Sequence, residues 1–355
     1  MSQVVKNSFS IRSDTTPGRV ELIDFLRGGA MILVLLHHSG FPLGQYILAF
    51  HMPLFFVLTG YLEHIGGGTK RSLKEYFKRR FTRLVVPYFT FETLNLIIWC
   101  TKCVFEHQSL PEIPETVISI ITCVNNNYMG LYGRLWFLPC MFVADMYVWT
   151  ILKFWRNDRF SHILSVMILF ALSIITAKVI PFRLPFTIDT ALFAAAFIML
   201  GYVFGDAVQI LLTKGNDKCK IILAIGSLLY LVYAVRYTDV TVLMFINNYG
   251  EYTVSICAAI AGSAAFLILG SYLYRAVKSA LFLNNFVIWY GNNSLATFPI
   301  HLTIKMFILW YIPVFSIWYL LFLGMLFLNI PIVNVITCYF PFMLGKKCNK
   351  CTDRL

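Results

Sequence analysis

Arg27 and His38 stand eleven residues apart in the stretch FLRGGAMILVLLHHSG, which is otherwise apolar enough to lie in a bilayer. On an α-helix that spacing is three turns plus about 20°, so both side chains share one face, about 16 Å apart along the axis. An ionisable residue inside a membrane helix faces the bundle interior or an aqueous cavity, and is read first as part of a functional site. An imidazole titrates near neutrality and suits proton transfer, whereas a guanidinium supplies fixed positive charge. His38 and Arg27 therefore read as candidate site residues on one face, unless Arg27 snorkels or pairs with Asp24 one turn earlier. His51, in QYILAFHMPLFFVLTGYL, falls at a similar depth on the next, antiparallel helix and joins them as a catalytic candidate. His37 points about 100° away from His38 and is a further candidate.

A second cluster lies in TKRSLKEYFKRRFTRLVVPY. Arg80 and Arg83 are three positions apart, which places them on one helix face at the entrance to a membrane segment. Arginine forks bind phosphate oxygens in pairs, so these two read as a polyphosphate site, with anionic lipid headgroups as the competing ligand. Glu92, Arg134, Trp136, Asp145, Asn293 and His301 are additional polar candidates in apolar surroundings, together with Asp189 and Lys305. Nothing in their spacing says which of them meet. Glu92 and Asp145 are candidate carboxylate partners for His38. Arg27, His51 and Asn293 are candidate hydrogen-bond donors to a reacting group.

These residues must be held by membrane helices. The chain has 355 residues, of which 59% are hydrophobic and 13% charged, with mean hydropathy +0.72. Soluble chains carry about a quarter charged residues. The reading is an all-α polytopic membrane bundle of about ten spans, near 20–40, 45–62, 84–104, 135–154, 162–181, 186–205, 220–236, 252–273, 288–310 and 316–341. With both termini cytoplasmic, the expected inner segments hold 22 of the 29 Lys and Arg residues, as the positive-inside rule requires. The same spread over many short loops argues against nucleic acid as the partner of a chain of net charge +12, since nucleic-acid binding gathers basic residues on one solvated face.

The first 18 residues are polar, so the first helix is expected to remain as an anchor in the cell (inner) membrane rather than act as a cleaved signal. Residues 1–19 read as a cytoplasmic segment, 20–341 as the membrane domain and 342–355 as a basic tail. The connection from Glu106 to Arg134, with its amphipathic TVISIITCV, reads as an interfacial helix or a lid. The nine cysteines read as unlinked thiols, the pairs Cys100/Cys103 and Cys348/Cys351 lacking the four ligands that structural zinc needs. No metal is expected.

ELIDFLRGGAMILVLLHH, FHMPLFFVLTGYL, RRFTRLVVPY, LWFLPCMF and GNNSLATFPIH occur in this order, and in that order the chain resembles the acyltransferase family 3 membrane proteins from about Val20 to Phe340. Each motif alone is short and apolar; the five together carry the resemblance. The family's Arg-x10-His falls on Arg27 and His38, and its Arg-x-x-Arg on Arg80 and Arg83. The resemblance implies an O-acyltransferase moving an acyl group, acetyl or another short one, from an acyl-CoA to a hydroxyl of a sugar, polysaccharide or glycolipid, with catalysis centred on His38. The branch most similar is that of the fucose and related sugar acetylases. The chain departs from the pattern at Thr59, where serine is frequent, and in having His37 beside His38. A fused extracytoplasmic esterase-like domain is not read, which implies direct transfer or a separate partner. The alternative class is a transporter or flippase for an anionic or glycan-linked solute. Acyl identity, acceptor, side of transfer and oligomeric state stay open.

Overall fold

The computed structural model describes residues 21–66, 71–124, 135–155, 158–213 and 215–346. Within them the chain is almost wholly helical. Fifteen α-helices follow one another, and one short antiparallel strand pair, β1 (Val240–Leu243) and β2 (Asn248–Gly250), lies between α11 and α12. In order the helices are α1 (Glu21–His38), α2 (Gly44–Leu48), α3 (His51–Gly66), α4 (Leu73–Arg80), α5 (Val86–Phe105), α6 (Ile113–Thr122), α7 (Phe137–Phe154), α8 (Arg159–Val179), α9 (Ile188–Val203), α10 (Gly205–Thr213), α11 (Asp217–Tyr237), α12 (Tyr252–Val277), α13 (Leu281–Asn292), α14 (Ser294–Tyr311) and α15 (Trp318–Tyr339).

Eight stretches are long and apolar enough to cross a membrane, and each overlaps one of the ten expected spans. The other two expected spans are also helical, as α1 and α13–α14. What they lack is apolarity. The 18 residues of α1 include Glu21, Asp24 and Arg27, and α14 includes His301 and Lys305. Both of these more polar segments carry candidate site residues, as do α3, α5 and α7 among the apolar ones.

Exposure supports lipid as the solvent. Met167 on α8, Ile222 and Leu229 on α11 and Phe327 on α15 are each more than half exposed, a pattern that water penalises and hydrocarbon does not. Three helices starting at basic connections are capped by side chains. Ser72 and Glu75 form a reciprocal capping box on α4, Asp158 accepts from the N–H groups of Phe160 and Ser161, and Asn216 accepts from that of Lys218. Each cap satisfies donors that the first helical turn leaves open.

The chain divides into two compact units. The first comprises Met1–Gly67, Phe197–Leu243 and Asn248–Thr297; the second comprises Gly68–Ala196, Met244–Asn247 and Phe298–Leu355. In the first unit, glycines let helix backbones touch. A Cβ on Gly28 of α1 would lie 1.9 Å from the Val287 carbonyl oxygen, and one on Gly291 would lie 1.8 Å from that of Asp24. Gly60 and Gly201 form the same kind of reciprocal contact between α3 and α9, at 1.8 Å from the oxygen of Ile198 and 2.1 Å from that of Val57. Small residues at crossings are how membrane helices approach closely enough for dispersion and polar contacts to hold them.

In the second unit α4 runs into α5 through a π-helical turn, Phe81–Val85, giving one continuous helix of 33 residues. Pro87 accounts for the turn. It has no N–H for the carbonyl four residues back, and its ring crowds that oxygen. Widening the preceding turn moves the Arg83 carbonyl away.

Candidate active site

In the first unit the end of α1 gathers three imidazoles. The His37 ring lies 5.2 Å from that of His38 and 5.3 Å from that of His51, centre to centre. The chain turns at Ser39–Leu43 and reverses through the short helix α2, so that the Gly44 carbonyl accepts from His37 Nδ1–H at 3.1 Å. A Cβ added at Gly44 would stand 3.2 Å from His37 Nδ1, a tight contact. His51, fully buried, donates from Nδ1–H to the Ile47 carbonyl at 2.8 Å. A carbonyl only accepts, so both neutral rings carry their proton on Nδ1 and present Nε2 as an acceptor. In that form His51 Nε2 is a hydrogen-bond acceptor.

The structure thus brings His38 and His51 to one locus through His37, which the helical-wheel reading turned away. The missed signal is GFPLG, Gly40–Gly44, a reversal short enough to fold its backbone onto the preceding ring.

Arg27 belongs to a different level of the same unit. Helix α1 is unbroken from Glu21 to His38, so the separation of about 16 Å along the axis holds. Its Nη2 donates to Ser294 Oγ at 3.4 Å, and Ser294 in turn donates to the Gly291 carbonyl at 3.0 Å. Asn293, at the break between α13 and α14, donates from Nδ2 to the Trp289 carbonyl at 2.9 Å. Arg27 and Asn293 accordingly sit with the α13–α14 break.

The second unit holds the remaining candidates. Arg80 Nε lies 3.1 Å from Asp145 Oδ2, whose side chain is 1% exposed. Arg80 Nη2 donates to Tyr76 Oη at 3.3 Å, and the guanidinium carbon stands 5.1 Å from the centre of the same ring. Arg83 is exposed. Arg80 ends α4 and Arg83 lies within the π-helical turn Phe81–Val85. Glu92, fully buried, accepts the Leu135 N–H at 3.2 Å, which ties the approach to α7 onto α5. Asp145 and Glu92 thus have roles within this unit, as partner to Arg80 and as anchor for Leu135.

Trp136 precedes α7 with its ring 6.2 Å from Phe137. His301 is fully buried and donates from Nδ1–H to the Phe298 carbonyl at 2.6 Å, and Thr303 nearby donates to Asn95 Oδ1 at 2.8 Å. Asp189 pairs with Arg183 at 2.6 Å, and Arg183 also donates to Thr190 Oγ1 and the Phe245 carbonyl. Arg134, Cys348 and Cys351 lie outside the described residues.

Between α5 and α7, α6 turns its apolar Val117, Ile118 and Ile121 outward and buries Thr116 and Ser119. Tyr88 Oη donates to the Ile120 carbonyl at 3.0 Å. Tyr88 is 17 residues, or about 25 Å, before the end of α5, so this connection folds back along the helix. Cys100 and Cys103 are unlinked thiols. Among the described residues, no three His, Cys, Asp or Glu side chains are grouped to hold a metal ion.

An acyltransferase-domain family model, acyltransferase 3, matches residues 20–344. The chain belongs to that family. Acyltransferase chemistry and the apolar helices together make it a multi-pass membrane acyltransferase. No curated protein matches the chain.

Proposed function

We propose that this membrane acyltransferase moves a short acyl group, acetyl foremost, from an acyl-CoA to a hydroxyl of a sugar, polysaccharide precursor or glycolipid, with His38 as general base. The observation that carries the reading is the grouping of His38, His37 and His51 at the end of α1 in a family member. A sugar hydroxyl is a weak nucleophile toward a thioester. Removing its proton as the C–O bond forms contributes about 10²–10⁴ to the rate. In this scheme the hydroxyl proton passes to the His38 imidazole, the acceptor oxygen bonds to the thioester carbon, the C–S bond breaks, and the proton goes on to the departing thiolate.

His37 and His51, held with Nε2 as acceptors, surround that proton with basic nitrogen. Arg27 supplies fixed positive charge on the same helix, and the turn containing Arg83 meets the donor's phosphates. The topology that goes with this scheme has ten spans, α1 and α13–α14 included, both termini cytoplasmic, in the cell (inner) membrane. The basic connections at 71–83, 153–159 and 275–278 support that orientation.

The test is turnover in nanodiscs. Purified protein is titrated with acetyl-CoA, succinyl-CoA and CoA while thiol release and thermal shift are followed, for wild type and His38→Ala. Binding of one acyl-CoA and thiol release that requires His38 are expected. Wild-type protein that is folded and binds none of the three would overturn the donor assignment.

A further inference from the structure

Lys220 is a lysine almost withdrawn from water. It is 4% exposed, whereas Asp217, Lys218 and Cys219 just before it are exposed. It opens the stripe Lys220, Ala224, Ser227, Leu231 and Ala234 that α11 buries, and α11 packs on α12. Its side chain runs back to the α10–α11 connection, where a Cβ on Gly215 would stand 3.4 Å from Lys220 Cε. Arg275, on α12, reaches the same connection. Its Nη2 donates to the Leu212 carbonyl at 3.2 Å, and its guanidinium carbon stands 5.4 Å from the Tyr272 ring centre.

The carboxylate at the start of α11 serves neither cation, since Asp217 accepts from Tyr272 Oη at 2.7 Å. Among the described residues, Lys220 has no hydrogen-bond, ion-pair or ring partner, and Arg275 has no carboxylate partner. Positive-inside topology accounts for exposed cations at a membrane surface. It does not account for a buried one, because a charge taken out of water without a partner is costly.

We infer that Lys220 and Arg275 form a phosphate-binding site at the basic end of the first unit, where α10, α11 and α12 meet. A forked guanidinium beside a compact ammonium suits phosphate oxygens. The ligand is an anionic phosphate ester, from either an acyl-CoA or an anionic lipid headgroup. The site stands on its own geometry, and only the first of these sources rests on the donor reading above. The competing role for Lys220 is to cap the last carbonyls of α10, as Arg275 caps that of Leu212. A cation at a helix C-terminus stabilises the fold, so stability and affinity separate the two roles.

Wild type, Lys220→Met, Lys220→Arg and Arg275→Gln are placed in phosphatidylcholine nanodiscs with and without phosphatidylglycerol. CoA is titrated by calorimetry, with thermal shift alongside. Lys220→Met keeps the apolar stem and removes the charge, so the Tm of the ligand-free protein is expected to stay level or rise. If the ligand is CoA, its binding falls roughly ten- to hundredfold in Lys220→Met, the size of one charge-assisted contact, and Lys220→Arg restores most of it. If the ligand is lipid, phosphatidylglycerol raises the Tm of wild type more than that of Lys220→Met, and CoA affinity is the same in both. Each pattern supports the site and names its source.

Unchanged CoA affinity together with a wild-type response to phosphatidylglycerol overturns the site, and a lowered Tm then makes Lys220 a cap. Should Lys220→Met not fold, Arg275→Gln, at an exposed position, is read by the same two measures. If wild-type protein binds no CoA, the donor reading fails and the lipid comparison decides alone. A smaller phosphatidylglycerol response in Lys220→Met then supports the site, and an equal one overturns it.

Discussion

The imidazole end of α1 and the buried pairs of the second unit solve the same problem in opposite ways. Both keep polar side chains out of water. At the end of α1 the groups are imidazoles whose Nδ1–H bonds are absorbed by backbone carbonyls of Gly44 and Ile47. In the second unit they are full charges, Arg80 with Asp145 and Arg183 with Asp189, each matched by its opposite. A neutral imidazole whose Nδ1–H is held by a carbonyl keeps Nε2 as an acceptor facing the site. In an ion pair, neutralising one member strands the other. Proton chemistry is therefore expected at the first locus, and mechanical fixation at the second.

The largest effect that would break this contrast is at His38. His38→Ala is expected to lower acyl transfer by about 10²–10⁴ while leaving Tm near wild type, measured as thiol release and thermal shift on the same sample. A comparable fall in Tm would make His38 structural. Next is Arg183→Ala, which strips Asp189 of its guanidinium at 2% side-chain exposure. It is expected to cost about 3–5 kcal/mol, read as loss of folded protein in a detergent stability assay. A stable Arg183→Ala variant would remove the claim that the second unit depends on its pairs.

Smaller is the effect at the helix crossing in the first unit. Gly60→Ala puts a methyl 1.8 Å from a backbone oxygen and is expected to cost about 1–3 kcal/mol. Gly226→Ala meets nothing within 4 Å and is expected to gain a few tenths to about 1 kcal/mol from helix propensity. Thermal shift on the pair tells packing from propensity. Smallest is Asp158, whose carboxyl is held below its usual range chiefly by the Ser161 hydroxyl, against a lesser upward push from desolvation, with the Ser161 and Phe160 N–H groups adding to the lowering. A depressed folded-state pKa stabilises the fold above the unfolded carboxyl value and loses that contribution as pH falls through the folded one. Asp158→Asn is expected to flatten the acid limb of Tm against pH slightly, with little change at pH 7.

Much of the fold was legible because lipid imposes length and apolarity on each span. Eight of the ten expected segments meet both conditions. The two that fail the second carry Arg27 with His38, and His301 with Lys305. Depth along a helix was also legible, and it put His38 and His51 at one level. Direction was not. The wheel turned His37 outward, and only the reversal through α2 brings the Gly44 carbonyl to its ring. A regular helix was expected through Arg80 and Arg83, and Pro87, visible in the sequence, accounts for the π-helical turn that replaces it. Partners far along the chain were illegible for a plainer reason. Asp145 is 65 residues from Arg80, and nothing local in either segment specifies the other.

The single helix Leu73–Phe105 has one more consequence. At 33 residues it is about 50 Å long, against a hydrocarbon core of about 30 Å. Its first turns, with Lys74, Lys78, Arg79 and Arg83, therefore reach the layer where phospholipid headgroups crowd. A turn that holds phosphate by charge does not distinguish a nucleotide from a lipid. Under the function proposed above, the bilayer would then compete with the donor, and apparent donor affinity would depend on the anionic lipid content of the membrane.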